Sequence, residues 1–257
     1  MIRGLYTSAI GMMTQMKKMD VVTNNIANAD TLGFKKDGVI TQTFTEQLMK
    51  RLNDPDKPMA MTVPRVGDLA LGLAVDDVYT DFSTGVFRQT TADLDLALNG
   101  SGFFAVSTTD ASGNVIERYT RDGSFSLTEN GTLVTNDGKV VLGENGTIQI
   151  PSGNITINDN GDVYSGENYV DRIKIVDFEN KQSLRKFGDN LYDTTAQSVE
   201  VPFEGKVLQG YLEGSNVKAV REMVDMITLS RNYETNQRAI STMDDTLAKA
   251  VNDLGRK

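Results

Sequence analysis

The chain has 257 residues, enough for one or two domains, and its 39% hydrophobic and 24% charged residues are typical of a globular protein. It contains no cysteine, histidine or tryptophan, which excludes disulfides, the usual zinc sites, thiol nucleophiles and the Ser-His-Asp triad. The net charge of −9 arises in residues 61–215, where 23 acidic residues outnumber 11 basic ones, while both ends are near neutral. Without a basic stripe, the chain is a poor candidate for binding nucleic acid or an anionic membrane surface.

The opening residues lack the features of a targeting segment. They contain no apolar h-region of 7–15 residues, and the whole chain has no run of about 20 apolar residues. We therefore expect no cleaved signal peptide and no membrane insertion.

The first segment, residues 1–30, is predicted to be a helix. Its apolar residues recur every three or four positions, close to the seam of a coiled coil, and Asn28, Asp30 and Gly33 supply the turn that ends it. We expect this stripe to contact other helices, so it forms the first half of a predicted assembly interface. Its members are Ile2, Leu5, Ala9, Met12, Met16, Met19, Val22 and Ile26.

The second segment, residues 31–68, is predicted to be an extended linker. Pro55, Pro58 and Pro64 lie in its latter part among residues of mixed charge, and no helical or strand periodicity is evident there.

The third segment, residues 69–214, is predicted to be an antiparallel β domain. Asn-Gly pairs begin at Asn99, Asn130, Asn145 and Asn160, with short β-forming runs between them. Such pairs favour type I′ hairpin turns, in which both central residues have positive φ. Turns at this frequency indicate hairpins rather than βαβ units.

The last segment, residues 215–257, is predicted to be a long helix. Ser215 and Asn216 are good N-cap residues, and neither proline nor glycine occurs from residue 217 to residue 254. Apolar residues form a stripe at both ends of this helix, with a polar stretch around Arg231. They complete the predicted assembly interface, which here comprises Val220, Val224, Ile227, Ile240, Met243, Leu247 and Leu254.

Together these segments predict an α+β fold, in which the N- and C-terminal helices form an antiparallel coiled-coil-like pair and the β domain is inserted between them. Two helices cover only one face of each other, and the longer one overhangs. We expect other copies of the chain to cover the remaining apolar surface. Because contacting surfaces need not be self-complementary, repeated packing gives an open filament, so the sequence favours a self-assembling structural subunit.

An alternative function is a soluble extracellular β-rich protein that is adhesive or acts on carbohydrate. Asp93, Asp95 and Glu117 could be imagined as a glycosidase pair, since that chemistry needs only two carboxylates. With 35 acidic residues such a pair is expected by chance. We therefore predict no enzyme activity and no catalytic, cofactor or metal site.

Three stretches resemble the bacterial flagellar basal-body rod and hook proteins, and are closest to rod proteins of the proximal/distal type. The run from Asn24 to Lys35 is similar to the family signature, with Asn24, Asn25, Ala27, Asn28, Thr31, Gly33 and Phe34 at the matching positions. Residues 94–104, 119–125 and 131–135 resemble the β-domain signature, and residues 209–217 resemble the junction into the last helix.

The resemblance implies a structural subunit of the rod, the hollow axial shaft that transmits torque from motor to hook. It also implies that the paired helices line an inner tube with the β domain outside. The implied partners are copies of itself, other rod and hook axial proteins, and the flagellar type III export apparatus. The implied location is the basal body outside the cytoplasmic membrane, reached without a cleaved signal peptide.

Overall fold

The computed structural model describes residues 2–43, 47–50, 65–69, 72–109, 113–151 and 153–254. Contacts divide the chain into two units. The helical unit consists of residues 1–26, 37–79 and 219–257, and the β unit consists of residues 27–36 and 80–218. The chain therefore crosses between the units four times.

In the part of the chain that the structure describes, the helical unit contains two helices and four strands. These are α1 (Ile2–Ala27), β1 (Asp37–Thr43), β2 (Gln47–Lys50), β3 (Arg65–Leu69), β4 (Leu73–Thr80) and α2 (Ala219–Leu254). Strand β1 pairs with β4 and strand β2 pairs with β3, which gives two separate two-stranded ribbons. A lone ribbon is marginally stable in water, so these strands need a helix to pack on.

The β unit follows β4 along the chain and is built from short strands. They are β5 (Phe87–Gln89), β6 (Leu96–Asn99), β7 (Phe103–Thr109), β8 (Val115–Thr120), β9 (Phe125–Leu127), β10 (Leu133–Thr135), β11 (Val140–Gly143), β12 (Gly146–Thr147), β13 (Ile155–Ile157), β14 (Asp162–Ser165), β15 (Asn168–Arg172), β16 (Ile175–Phe178), β17 (Arg185–Gly188), β18 (Leu191–Asp193), β19 (Glu200–Pro202), β20 (Lys206–Gln209) and β21 (Tyr211–Glu213). A short 3₁₀ helix spans Lys181–Ser183.

The largest sheet among the described residues has ten strands and is antiparallel throughout. Its main path runs β17-β18-β8-β7-β11-β10-β9, with β12 beside β11 and with β16 joining β7 to β19. Strands β13, β14 and β15 form a separate meander, β20 pairs with β6, and β21 pairs with β5. The predicted fold class, α+β with terminal helices that pack together and an antiparallel β domain between them, is confirmed.

Strand β7 lies at the centre of the β unit because both of its faces are buried. Phe104 and Val106 belong to one apolar cluster, and Phe103 and Ala105 belong to a second cluster on the opposite face. Successive side chains of a strand point to opposite faces, so a run of four apolar residues is required for a strand covered on both sides.

The structure corrects two predictions. The segment predicted as an extended linker, 31–68, contains β1, β2 and most of β3, and β1 belongs to the ribbon that packs on α1. The three prolines on which the linker prediction was based, Pro55, Pro58 and Pro64, lie outside the described residues. The predicted type I′ turns are also wrong for the Asn-Gly pairs.

Among the described residues, the non-glycine positions with positive φ are Asp189 and Asn190, in the two-residue turn between β17 and β18. In the Asn130-Gly131 and Asn160-Gly161 turns, glycine alone has positive φ, and its N–H bonds to the carbonyl three residues earlier. Glycine therefore closes a type I turn as its fourth residue, which needs left-handed backbone at one position instead of two.

A substitution in the buried strand tests the central position of β7. Phe104 is fully buried and packs edge-to-face on Phe125 with ring centroids 5.0 Å apart. Phe104→Ala is expected to lower the free energy of unfolding by about 3–5 kcal/mol, measured by urea denaturation. Val115→Ala in neighbouring β8 is the control, because Val115 is 74% exposed, and its expected change is within about 0.5 kcal/mol. Equal losses in the two variants would contradict this account of the core.

Candidate functional site: the helix pair and the signature segment

Helices α1 and α2 pack antiparallel in one register. A Cβ added to Gly4 would lie 2.6 Å from Met243 Cε, and one added to Gly11 would lie 3.0 Å from Asn236 Nδ2. Near the other end of α1, Asn25 Nδ2 donates to Glu222 Oε2 at 3.4 Å. In all three pairs the two residue numbers add up to 247, which fixes the alignment of the helices.

The face of α2 that is directed toward α1 keeps a heptad spacing along the helix. Less exposed residues recur at alternating steps of four and three. They are Glu222, Met226, Leu229, Tyr233, Asn236, Ile240, Met243, Leu247 and Ala250. Of the predicted interface residues, Ile240, Met243 and Leu247 lie on this face. By the register above, Leu247 extends past the first residue of α1.

The corresponding face of α1 is mostly small and polar. Gly4, Gly11 and Asn25 make the contacts with α2 just described. The residues that share their face at heptad spacing are Ser8, Gln15, Lys18 and Val22. A search for apolar periodicity misses this face, because glycine promotes close helix packing through the absence of a side chain. The signal that the sequence offered for this face was the spacing of seven residues between Gly4 and Gly11.

Apart from Val22, the predicted stripe on α1 lies beside the face that contacts α2. Its described members Leu5, Ala9, Met12, Met19, Val22 and Ile26 are half-buried, and Met16 is exposed. The predictions on Ile2 and Leu254 concern side chains outside the described ones. Together with Val220, Val224 and Ile227, these residues stay a predicted assembly interface.

Large apolar side chains are exposed on the faces of both helices that point away from the pair. We call these sets the outer stripes. On α2 the outer stripe consists of Val220, Met223, Val224 and Ile227, whose exposed fractions are 77%, 50%, 57% and 55%. On α1 it consists of Tyr6, Met13 and Met16, exposed by 50%, 68% and 51%.

A third face of α1 packs on the ribbon of β1 and β4. Thr14 Oγ1 donates to the Leu73 carbonyl at 2.7 Å, and the side chain of Ile10 lies against Gly72. Asn25 donates to the Asp37 carbonyl at 2.8 Å and accepts from the Asp37 N–H at 2.9 Å. Asn25 of the family signature thus binds both β1 and α2 within the helical unit.

The residues that follow α1 belong to the β unit. We call residues 27–36 the signature segment. Lys35 is fully buried, and its Nζ donates to the Ser83 carbonyl at 2.8 Å and to Glu213 Oε1. The other oxygen of Glu213 accepts from Arg121 Nη1 at 3.1 Å, and Glu213 Oε1 also accepts from the Gly85 N–H. One buried carboxylate therefore binds two cations from distant parts of the chain.

Burial dominates the electrostatics of this cluster. It lowers the pKa of the Lys35 ammonium below its ordinary value, and the neighbouring Glu213 carboxylate opposes the shift. Burial lowers the pKa of Arg121 in the same way, again opposed by Glu213. The same carboxylate therefore favours the charged form of both cations.

The rest of the signature segment is enclosed by the backbone and by the β17–β18 hairpin. The Gly33 N–H donates to the Glu213 carbonyl at 2.7 Å, and Asn190 Nδ2 donates to the Leu32 carbonyl at 2.7 Å. Lys186 Nζ donates to the Lys35 carbonyl and lies 4.6 Å from the centroid of the Phe34 ring. Phe34 is buried as a result.

Of the remaining signature residues, Thr31 and Asn28 bond to each other, with Thr31 Oγ1 donating to Asn28 Oδ1 at 3.2 Å. Asn24 and Ala27 are exposed. The family resemblance pointed to this segment but gave no indication that Glu213 and Arg121 bind it. Both lie in stretches that resembled the family, which was the only signal for them.

The predicted absence of catalytic machinery is not contradicted by the acidic residues considered for it. Glu117 is paired with Lys174 at 2.7 Å, while Asp95 is buried and Asp93 is exposed. Within the described residues, no cluster of acidic side chains suited to a metal ion occurs. Neither described helix combines the length and apolarity needed to cross a membrane.

Gly33 provides a test of the enclosed segment. Its φ is +65°, and an added Cβ would lie 2.5 Å from the Arg121 carbonyl carbon. Gly33→Ala is expected to destabilise the β unit by more than the roughly 1–2 kcal/mol that left-handed backbone alone costs. Gly138→Ala is the matched control, since Gly138 has φ +80° and open space around it. Thermal or urea unfolding measures both, and equal effects would argue against a close approach at Gly33.

Glu213 provides a second test. Glu213→Gln leaves Lys35 and Arg121 buried without an anion, and the expected loss of unfolding free energy is about 3–5 kcal/mol. Asp159→Asn removes the acid of an exposed pair with Lys206, and its expected loss is below about 1 kcal/mol. Denaturant unfolding distinguishes the two, and a loss for Glu213→Gln as small as the control would contradict the role of the carboxylate.

Comparison with known proteins agrees with the architecture. Three family models match in chain order: flagella basal body rod protein at residues 5–35, flagellar hook protein FlgE/F/G D1 domain at residues 97–165, and flagellar basal body rod FlgEFG protein C-terminal at residues 208–254. The first match covers α1 and the signature segment, and the last covers Glu213 and α2.

Similar proteins extend over nearly the whole chain. The flagellar basal-body rod protein FlgG of Buchnera aphidicola subsp. Acyrthosiphon pisum is 36% identical, over 97% of this chain and 98% of its own length. FlgG of Bacillus subtilis is 35% identical over 98% and 99%, and the rod protein FlgF of Caulobacter vibrioides is 35% identical over 100% and 99%. These matches give no support to the adhesive or carbohydrate-acting alternative. The chain belongs to the flagellar basal-body rod protein family and is a structural subunit of the rod, not an enzyme.

Proposed function

We propose that this subunit assembles with copies of itself, and with other rod and hook axial proteins, through the outer stripes of its terminal helices. The terminal helices form the wall of the hollow shaft. The observation that supports this best is the exposure of seven large apolar side chains on the two helix faces that point away from the pair.

Burial of these exposed apolar side chains by another subunit would be energetically favourable. Complete burial of a Val, Ile, Met or Tyr side chain contributes about 1.5–3 kcal/mol, so two stripes left in water would forgo a large part of the stability of the assembly. Contiguous apolar surface of this kind marks interaction sites. The near-neutral charge of residues 1–60 and 216–257 allows copies to approach without strong repulsion, whereas residues 61–215 carry −12.

The two outer stripes are unlike each other, which supports an open assembly. The stripe on α2 lies in residues 220–227, at the start of that helix, and that of α1 lies in residues 6–16. In the antiparallel register, residues 6–16 of α1 are level with residues 231–241 of α2, so the stripes lie at different heights on opposite sides of the pair. A contact between unlike faces repeats from copy to copy and builds a filament.

We further propose that the subunit reaches the rod, outside the cytoplasmic membrane, through the flagellar type III export apparatus and without cleavage of a signal peptide. Membership of the rod family supports this route.

Charge placed on an outer stripe tests the proposal. Ile227→Asp, and independently Met16→Asp, is expected to reduce incorporation into purified basal bodies and to abolish motility, because a carboxylate buried without a partner costs several kcal/mol. Since both residues are exposed in the single subunit, its stability is expected to change by less than about 0.5 kcal/mol.

Ser241→Asp is the matched control. Ser241 is exposed on the polar continuation of the same α2 face, so the same carboxylate is expected to leave incorporation and motility intact. Normal assembly of Ile227→Asp and Met16→Asp would show that the outer stripes are not the contact between subunits.

A further inference from the structure

The ends of three of the four chain crossings meet at one buried cluster within the β unit. The chain leaves the β unit after Lys36, returns to it at Thr80, and leaves it again after Lys218. Residues within six positions of each of these points bind one another. They are Lys35 and Lys36 at the first, Asp81 and Ser83 at the second, and Glu213 and Asn216 at the third.

Glu213 and Asn216, which precede the crossing after Lys218, bind residues at the other two crossings. Glu213 binds Lys35, which in turn donates to the Ser83 carbonyl. Asn216 Oδ1 accepts from the Lys36 N–H at 2.8 Å, and Asn216 Nδ2 donates to the Asp81 carbonyl at 2.8 Å. The Asp81 N–H closes the ring by donating to the Lys36 carbonyl at 2.9 Å.

The charged side chains of the cluster are buried. The Lys35 and Glu213 side chains are 0% and 1% exposed, and Arg121 holds the second oxygen of Glu213 at 2% exposure. A buried ion pair that loses one partner leaves an uncompensated charge, so these contacts do not exchange for water one at a time. The exposed pair of Lys36 with Asp81, at 3.7 Å, adds little by comparison.

We propose that Lys35, Glu213, Arg121 and Asn216 form a clasp that ties the three crossings together so that the subunit withstands torque. This rests on the proposed function of the chain as a shaft subunit. A crossing that is pulled by itself can be peeled from the β unit one hydrogen bond at a time. Crossings joined by one cluster must be released together, which requires the buried ion pairs and the Asn216 bonds to break at once.

The experiment compares assembly with performance under load. Cells carry Lys35→Met in place of the wild-type protein. Lys139→Met is the matched control, because the ion pairs of Lys139, with Asp137 and Asp189, include none of the clasp residues. Basal bodies are purified to measure incorporation, and swimming is recorded in media of increasing viscosity. Hydrogen exchange on the purified subunits reports the Gly33 and Lys36 amides.

In the Lys35→Met subunit, we expect these two amides to exchange at least about 100-fold faster while β7 and β8 stay protected, since a broken buried pair shifts an opening equilibrium by that order. The variant is expected to enter basal bodies, to swim in dilute medium, and to stop at a lower viscosity than wild type and Lys139→Met. Swimming equal to wild type at every viscosity, with the two amides exposed, would overturn the clasp.

Asn216→Ala is the second variant, because it removes the four hydrogen bonds of the Asn216 side chain and leaves no charge unpaired. If Lys35→Met is missing from basal bodies, the test of the clasp is Asn216→Ala. The proposal would be overturned if cells with Asn216→Ala stopped swimming at the same viscosity as wild type. A lowered limit with normal incorporation supports it. Failure of the proposed function gives a different result, since the wild-type chain itself would then be absent from purified rods.

Discussion

The carboxylate of Glu213 determines how the first helix joins the rest of the molecule. It lies at the end of strand β21, six residues before α2, and it binds both Lys35 and Arg121 out of contact with water. None of the three charges is tolerable there alone, because burial removes the hydration of each. As a result the signature segment, continuous with α1 along the chain, packs as part of the β unit.

This arrangement explains why residues 24–36 are divided between two tasks. Asn25 binds Asp37 and Glu222 inside the helical unit, whereas Gly33, Phe34 and Lys35 are enclosed by the β unit. The boundary passes through the middle of a motif that reads as one continuous signature. Each half is specified by polar contacts with strict geometry, which is a physical reason for the residue types found there.

The two helices distribute their apolar residues in an unusual way for a pair that belongs to one chain. The α1 face toward α2 carries Gly4, Gly11 and Asn25, while Met13 and Met16 are exposed on other faces. The α2 face toward α1 is largely apolar, so burial within the chain stabilises the pair, while the outer stripes stay exposed. This pattern agrees with the proposal that other subunits cover the outer stripes.

The sequence by itself determined the presence of both helices, because each has many apolar residues at helical spacing, and it determined the antiparallel β character through its many short strands and glycine turns. The contacts between elements depended on tertiary structure. The periodicity of apolar residues places Met16 and Val224 in stripes along their helices. It does not show that α1 contacts α2 through Gly4 and Gly11. The prediction of a linker at residues 31–68 missed β1, because the ribbon that β1 forms with β4 packs on α1 only in the folded chain. The pairing of Lys35 with Glu213, 178 positions apart, follows from neither propensity nor spacing, because only the folded chain removes both charges from water at the same place.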